Sequence, residues 1–146
     1  MATVTDEDQV RRMIALWSEA DADKDPQAFA ALFTEDGKYI SRRGESVGRE
    51  AIYKNLADRI ALNPPERETM HLFAESIVEV SGDTAHARSP YVGYGRIGDA
   101  PWEIMSIGRF HSWLVRHDGK WLFTEVRNLS IGKAGGPATI LHHPRV

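Results

Sequence analysis

The sequence predicts an α+β fold in which a curved antiparallel sheet packs over three N-terminal helices, and two features carry that expectation. Apolar residues recur at helical spacing as far as Asn63-Pro64-Pro65, where proline ends the pattern. Beyond it the period changes to two, and Glu68 to Ile131 reads as four long strands in succession. A sheet of that reach, bent over helices, tends to enclose a hollow. One histidine, His71, stands near the start of the first strand, and an imidazole facing a hollow is a candidate for proton chemistry.

Thr5 and Asp8 form the pattern of a capping box, and the acidic residues Asp6, Glu7 and Asp8 suit the positive end of a helix dipole, so the first helix starts there. Val10, Met13, Ile14 and Trp17 fall at i, i+3, i+4 and i+7 and share its inner face. The acidic segment Asp21 to Asp25 leads into Pro26, which suits the first position of a short second helix that turns Phe29, Leu32 and Phe33 inward. Glu35-Asp36-Gly37 reads as a turn, Lys38 to Ser41 as a short strand and Arg43-Gly44-Glu45 as another turn. Gly48 opens the third helix, with Ile52, Leu56 and Ile60 on one face. Ile77 to Val80, the Ser81-Gly82-Asp83 turn and Thr84 to Tyr94 make a hairpin. Trp102 to His117 and Trp121 to Ile131 make another around Asp118-Gly119. The tail from about residue 133 onward has no period and is expected to run over the surface or to a partner subunit.

The chain has 146 residues, which fits one domain over 1–146 with a core of its own. No run of about 18 apolar residues exists, so no membrane span is expected. Met1 to Asp8 lacks the basic start and apolar stretch of a secretory signal, and a cytoplasmic location is expected. Without cysteine there is no disulfide, thiolate nucleophile or thiolate-held zinc. A net charge of -3 with scattered Lys and Arg argues against a nucleic-acid partner. No spaced set of carboxylates and imidazoles suggests a metal, and no cofactor is expected. Gly93-Tyr94-Gly95-Arg96-Ile97-Gly98 satisfies the dinucleotide glycine pattern, but another strand follows it instead of a helix, so these glycines are assigned to a loop. His142 and His143 are adjacent in the tail and do not preorganise a metal site; His86 and His117 are read as surface residues.

Phe29-Ala30-Ala31-Leu32-Phe33-Thr34-Glu35-Asp36-Gly37, Gly48-Arg49-Glu50-Ala51-Ile52, Val80-Ser81-Gly82-Asp83-Thr84-Ala85 and Gly108-Arg109-Phe110 occur in the order and spacing of the nuclear transport factor 2-like superfamily. Within it the chain resembles the SnoaL-like group, which includes polyketide cyclases and scytalone dehydratase. The resemblance implies a cone-shaped barrel with an apolar pocket, often in a homodimer. Glu68-Thr69-Met70-His71 resembles the strand whose histidine is the base in the dehydratase, so His71 takes that role by resemblance. The aspartate that orients this base in the family falls, counted back from Leu32-Phe33, on Ala22, with Asp21 and Asp23 on either side. One residue rotates a helical side chain by about 100°, so a neighbour replaces it only with a change of winding. Asp21 is the best remaining partner and Asp25 the second.

Trp17, Tyr39, Tyr53, Tyr91, Trp102, Met105 and Phe110 are candidates to line the pocket, with Arg127 and Asn128 to anchor a polar group of the substrate. Two readings follow. The favoured one is a cofactor-independent lyase or isomerase (dehydratase, cyclase or isomerase) acting on a small, mainly apolar molecule, with His71 as base and Asp21 fixing its tautomer. The other is a non-catalytic module that binds a small hydrophobic ligand, or a structural subunit, with the same pocket.

Overall fold

A computed structural model describes residues 3–133; the tail beyond, including His142 and His143, lies outside the described residues. The order of elements is α1 (Asp6–Ala22), α2 (Pro26–Ala31), β1 (Phe33–Ser41), β2 (Gly44–Val47), α3 (Arg49–Ala61), β3 (Arg67–Phe73), β4 (Ile77–Ser81), β5 (Thr84–Ile97), β6 (Glu103–His117) and β7 (Lys120–Lys133). The capping box forms at the start of α1, with the Thr5 side chain accepting from the Asp8 amide and the Asp8 carboxylate accepting from Thr5. Asp25 caps α2 by accepting from the Ala28 amide, with Pro26 in the first turn. No helix among the described residues is long and apolar enough to cross a membrane.

The strands form one curved, unclosed sheet in the order β2-β1-β7-β6-β5-β3, with β4 also pairing with β5. All pairings are antiparallel except β1 with β7, which is parallel. Three differences from the sequence reading have physical causes. The first long strand is two strands, because Ala74 to Ser76 breaks the ladder and β3 and β4 pair separately along β5. Glu35-Asp36-Gly37 is a register irregularity within β1, between the pairs Phe33↔Phe123 and Lys38↔Glu125, and not a separate turn. Gly93 and Gly95 belong to β5 itself, since the strand continues to Ile97. His86, read as a surface residue, is half-buried and stacked on Trp113 with ring centroids 4.8 Å apart.

The helices lie over one face of the sheet, α1 against β3 and β4, α3 against β1 and β2. Val10, Ile14 and Trp17 from α1, Phe29 from α2, and Ile52 and Leu56 from α3 are fully or almost fully buried with Phe33, Phe110, Phe123 and Val126 from the sheet. Trp17 is the centre of this packing, with its ring 5.3 Å from Phe29 and 4.8 Å from Phe110. Both adopt inclined rather than face-to-face geometry, as ring quadrupoles favour.

Gly108 of β6 is crowded by its two flanking strands: a Cβ there would lie 2.5 Å from the Leu129 carbonyl oxygen of β7 and 2.6 Å from the Tyr91 ring of β5. Neither neighbour is the free end of a flexible chain. Gly108→Ala is therefore expected to destabilise the fold by about 1–3 kcal/mol, the usual cost of overpacking, measured by denaturant unfolding; an unchanged midpoint would contradict this packing.

Candidate functional site

The site begins with two helical stripes that end in charge. Val10, Ile14 and Trp17 continue at the same spacing to Asp21, so Asp21 points inward with them and is 2 % exposed. A carboxylate in the last turn of a helix meets the negative end of the dipole, and α1 has no basic residue in that turn. Its stabilisation comes from elsewhere. On α3 the stripe Ile52 and Leu56 continues to Arg59, whose Nη2 donates to Asp21 Oδ1. Asp21 Oδ2 faces His71 Nδ1 at 3.1 Å, and neither atom has another hydrogen-bonding partner among the described residues.

The imidazole is held on all sides. The alternation of β3 turns Arg67, Thr69, His71 and Phe73 toward the helices and Glu68, Met70 and Leu72 outward. The Ser18 hydroxyl donates to the His71 carbonyl oxygen at 2.7 Å, tying α1 to β3 at this residue. Trp17 packs edge-on against the ring at 5.4 Å and Tyr91 lies at 5.3 Å. Burial, with the Arg59 cation close by, holds the His71 pKa down to about 4. The ring is therefore neutral at pH 7. With Nδ1 turned to a carboxylate, the proton belongs on Nδ1 and the lone pair on Nε2.

Sheet register decides what Nε2 meets. His71 pairs with Gly93 on β5, and Gly93 with Ser106 on β6, so the three form one row across the sheet. A Cβ on Gly93 would stand 3.4 Å from His71 Nε2 and 2.5 Å from Ser106 Oγ. The missing side chain is the space between them. A register shift follows at once, between Gly93 and Tyr94, and brings Tyr94 to the same wall.

Two hollows meet here, both lined by Arg42, Arg59, His71 and Ser106. The larger is about 230 Å³, with apolar walls from Leu56, Ile60, Pro64, Pro65 and Met105 and polar groups from Asp21, Lys24, Asn63, Arg67 and Thr69. The smaller is about 140 Å³ and is bounded by residues that carry polar groups, Tyr39, Arg43, Asn55, Tyr91, Asn128 and Ser130. Burial raises both tyrosine pKa values, Tyr39 to about 12, although Asn128 beside Tyr39 and Ser106 and Ser130 beside Tyr91 favour the phenolates. Both phenols keep their protons at neutral pH. No group of three or more His, Asp or Glu able to hold a metal occurs among the described residues.

Of the residues singled out in sequence, the structure brings His71 and Asp21 together and places Tyr39, Tyr91, Met105 and Asn128 on the cavity walls. The carboxylate expected at Ala22 is supplied by Asp21 in a regular helix, because the inward stripe runs through 21; Ala22 faces an outer groove beside β3. Asp25 is exposed and serves as a helix cap. Trp17 and Phe110 are core residues, each 0 % exposed, and line neither hollow. Tyr53 is exposed on α3, and Trp102 is exposed beneath the Arg96 guanidinium. Arg127 alternates outward between Val126 and Asn128, lies over Trp113 and pairs with Glu125. Arg42, Arg59, Arg67 and Ser106 are not among the sequence candidates, and Gly93, assigned there to a loop, lies in β5 at the cavity. For Arg59 the signal was present, as the residue that extends the α3 stripe; Arg42 and Gly93 depend on turn position and strand register.

Comparison with known proteins follows the same line. The profile of the SnoaL-like domain matches residues 2–127. The chain belongs to the SnoaL-like family. That family includes polyketide cyclases and scytalone dehydratase-like enzymes. Among solved structures, a protein from Novosphingobium aromaticivorans provisionally described as a scytalone dehydratase is 25% identical, with a TM-score of 0.73 over 90% of this chain and 89% of that one. A protein of unknown function from Mycobacterium tuberculosis is also 25% identical, with a TM-score of 0.73 over 84% of this chain and 69% of that one. ActVI-ORFA from Streptomyces coelicolor shares the fold at 22% identity, with a TM-score of 0.74 over 84% of this chain and 94% of that one. A search of curated protein sequences finds no match. This SnoaL-like chain thus has the nuclear transport factor 2-like fold, with its helices under a curved, unclosed sheet.

The depressed pKa of His71 has a stability consequence with a definite sign. Between about pH 6.5, where an unfolded histidine titrates, and about pH 4, the unfolded state binds a proton that the folded state refuses. The contribution of a neutral, buried His71 is present above that window and is lost as pH falls through it, by about 3 kcal/mol. Unfolding midpoints of the native SnoaL-like protein should drop over this range, and those of His71→Gln should drop less. Equal slopes for the two proteins would show that His71 titrates normally.

Proposed function

We propose that this protein is a cofactor-independent lyase or isomerase that removes a proton from carbon in a small, mainly apolar molecule. The observation that carries the proposal is the 3.1 Å approach of Asp21 Oδ2 to His71 Nδ1, with Nε2 turned to the cavity over Gly93. In this reading His71 Nε2 takes the proton and Asp21 is a positioning residue that fixes the tautomer and stabilises the imidazolium. The C–H electron pair becomes the new π bond. For an elimination, the leaving group departs with its own bonding pair, and the imidazolium returns its proton to that group or to water. For an isomerisation, the pair is delocalised onto a carbonyl oxygen and the proton is returned at another carbon. The Tyr39 and Tyr91 hydroxyls, protonated and buried at the polar end, are donors for the oxyanion that develops. The family and the provisional scytalone dehydratase among the structural relatives support this class of chemistry.

A second reading, a pocket that only binds a small hydrophobic ligand, is favoured by one observation. An imidazole with a pKa near 4 is a weak base at neutral pH.

5-Nitrobenzisoxazole separates the two, since removal of its C3 proton expels the ring oxygen as a coloured phenolate. With this probe, His71→Ala is expected to lose about 10²- to 10⁴-fold in rate, the usual worth of a positioned base. The native rate should rise through about pH 4 and stay level to neutrality, because the unprotonated ring is the active form and its pKa is low. A rate unchanged by His71→Ala would remove the catalytic reading and leave the binding one.

A further inference from the structure

The chain carries a net negative charge, yet its cavity is positive. Lys24, Arg42, Arg59 and Arg67 line the larger hollow against one carboxylate, Asp21, which Arg59 already engages. Lys24 donates to the Pro65 carbonyl oxygen at 3.0 Å, and the Arg67 guanidinium reaches Met105 Sδ at 3.6 Å, a weak acceptor. Arg42, on the turn between β1 and β2, and Arg67, at the start of β3, have no carboxylate within 4 Å among the described residues. Outside the larger hollow Arg11, Arg96, Arg116 and Arg127 each pair with one while Arg12, Arg43, Arg49 and Arg109 do not among the described residues, so what sets Arg42 and Arg67 apart is that they share one cavity. Like charges gathered in one concavity repel each other and raise a positive potential that water screens poorly there. Such an arrangement is relieved by an anion. Guanidinium forks match the two oxygens of a carboxylate. The walls between the cations are apolar, and an engineered cavity of about 150 Å³ accepts benzene, so 230 Å³ has room for one or two rings.

We infer that the cavity takes an aromatic or alicyclic carboxylate, whose anionic group is held by Arg42 and Arg67 while its ring lies along Leu56, Ile60, Pro64 and Met105 toward His71. The binding half of this inference stands on the charge and shape of the cavity; only the statement that the carbon next to His71 reacts rests on the function proposed above. Arg127, the sequence-based candidate for a carboxylate anchor, is replaced in that role by two arginines from other elements.

The probes are 2-naphthoate and its neutral analogue 2-naphthamide, titrated by calorimetry into the full chain. The native protein is expected to bind the carboxylate at least about tenfold more tightly than the amide, with the preference shrinking as salt is added. Arg42→Met, on an exposed turn where folding is not at stake, should lose about tenfold of naphthoate affinity. Arg42→Met with Arg67→Met should bring the two probes within about twofold of each other, while Arg127→Met, on the outer face, changes neither. Equal affinities in the native protein, a preference that survives the double variant, or no binding of either probe would overturn the inference. The two hypotheses fail separately. His71→Ala that keeps the naphthoate preference but opens nitrobenzisoxazole at the native rate defeats only the proposed chemistry. A His71-dependent reaction in a pocket with no preference for the anion defeats only this inference.

Discussion

A single buried carboxylate organises this molecule. Asp21 sits in the last turn of α1 at 2 % exposure, where both desolvation and the helix dipole oppose its charge, and it is shared between Arg59 from α3 and His71 from β3. Removing one partner of a fully buried pair costs about 3–5 kcal/mol, and less here because the Arg59 side chain is 31 % exposed. Three separate elements are thereby fixed against each other at the place where the cavity opens. Oδ1 goes to the guanidinium and Oδ2 to the imidazole, and this division gives His71 its orientation. Burial disfavours a charged imidazole, and Arg59, which satisfies the carboxylate, adds to that by disfavouring a second positive charge beside it, so the ring stays neutral. The same contact that stabilises the fold leaves a bare nitrogen facing the hollow.

Around that nitrogen the sheet supplies space and polarity by register alone. Gly93 lies between His71 and Ser106 in one row and leaves the room that a side chain would fill. The cavity then divides by chemistry. Tyr39, Tyr91, Asn128 and Ser130 bring hydroxyl and amide groups to one end, Lys24 and Arg67 bring positive charge to the other beside an apolar wall, and Arg42 and Arg59 line both.

Much of this was legible in the sequence where a pattern is local. The capping box, the stripes of α1 and α3, the change of period at Pro64 and the Asp118-Gly119 hairpin each state an element through residues close in the chain. The superfamily resemblance located His71. Asp21 was legible as well: Val10, Ile14 and Trp17 extend to 21, and that spacing is a firmer guide than counting back from Leu32-Phe33 to Ala22. What the sequence hid depends on long-range register. The shifts at Phe33/Lys38 and Gly93/Tyr94 change which residues face inward, and no neighbouring residue announces them. For that reason the sequence offers Trp102 and Arg127 to the pocket, reads Gly93 as part of a loop and does not point to Ser106. The break at Ala74 to Ser76 was hidden too, because β3 and β4 each satisfy a period of two.

The measurement that reaches the centre of this account is ¹⁵N NMR of the His71 ring in the native protein, recorded from pH 7 down to the onset of unfolding. The account requires a hydrogen on Nδ1, a lone pair on Nε2 and a midpoint near 4. A hydrogen on Nε2 at neutral pH would mean that Asp21 does not orient the ring and that the cavity does not face a free base, and a midpoint near the ordinary 6.5 would mean that burial and Arg59 do not hold the imidazole neutral.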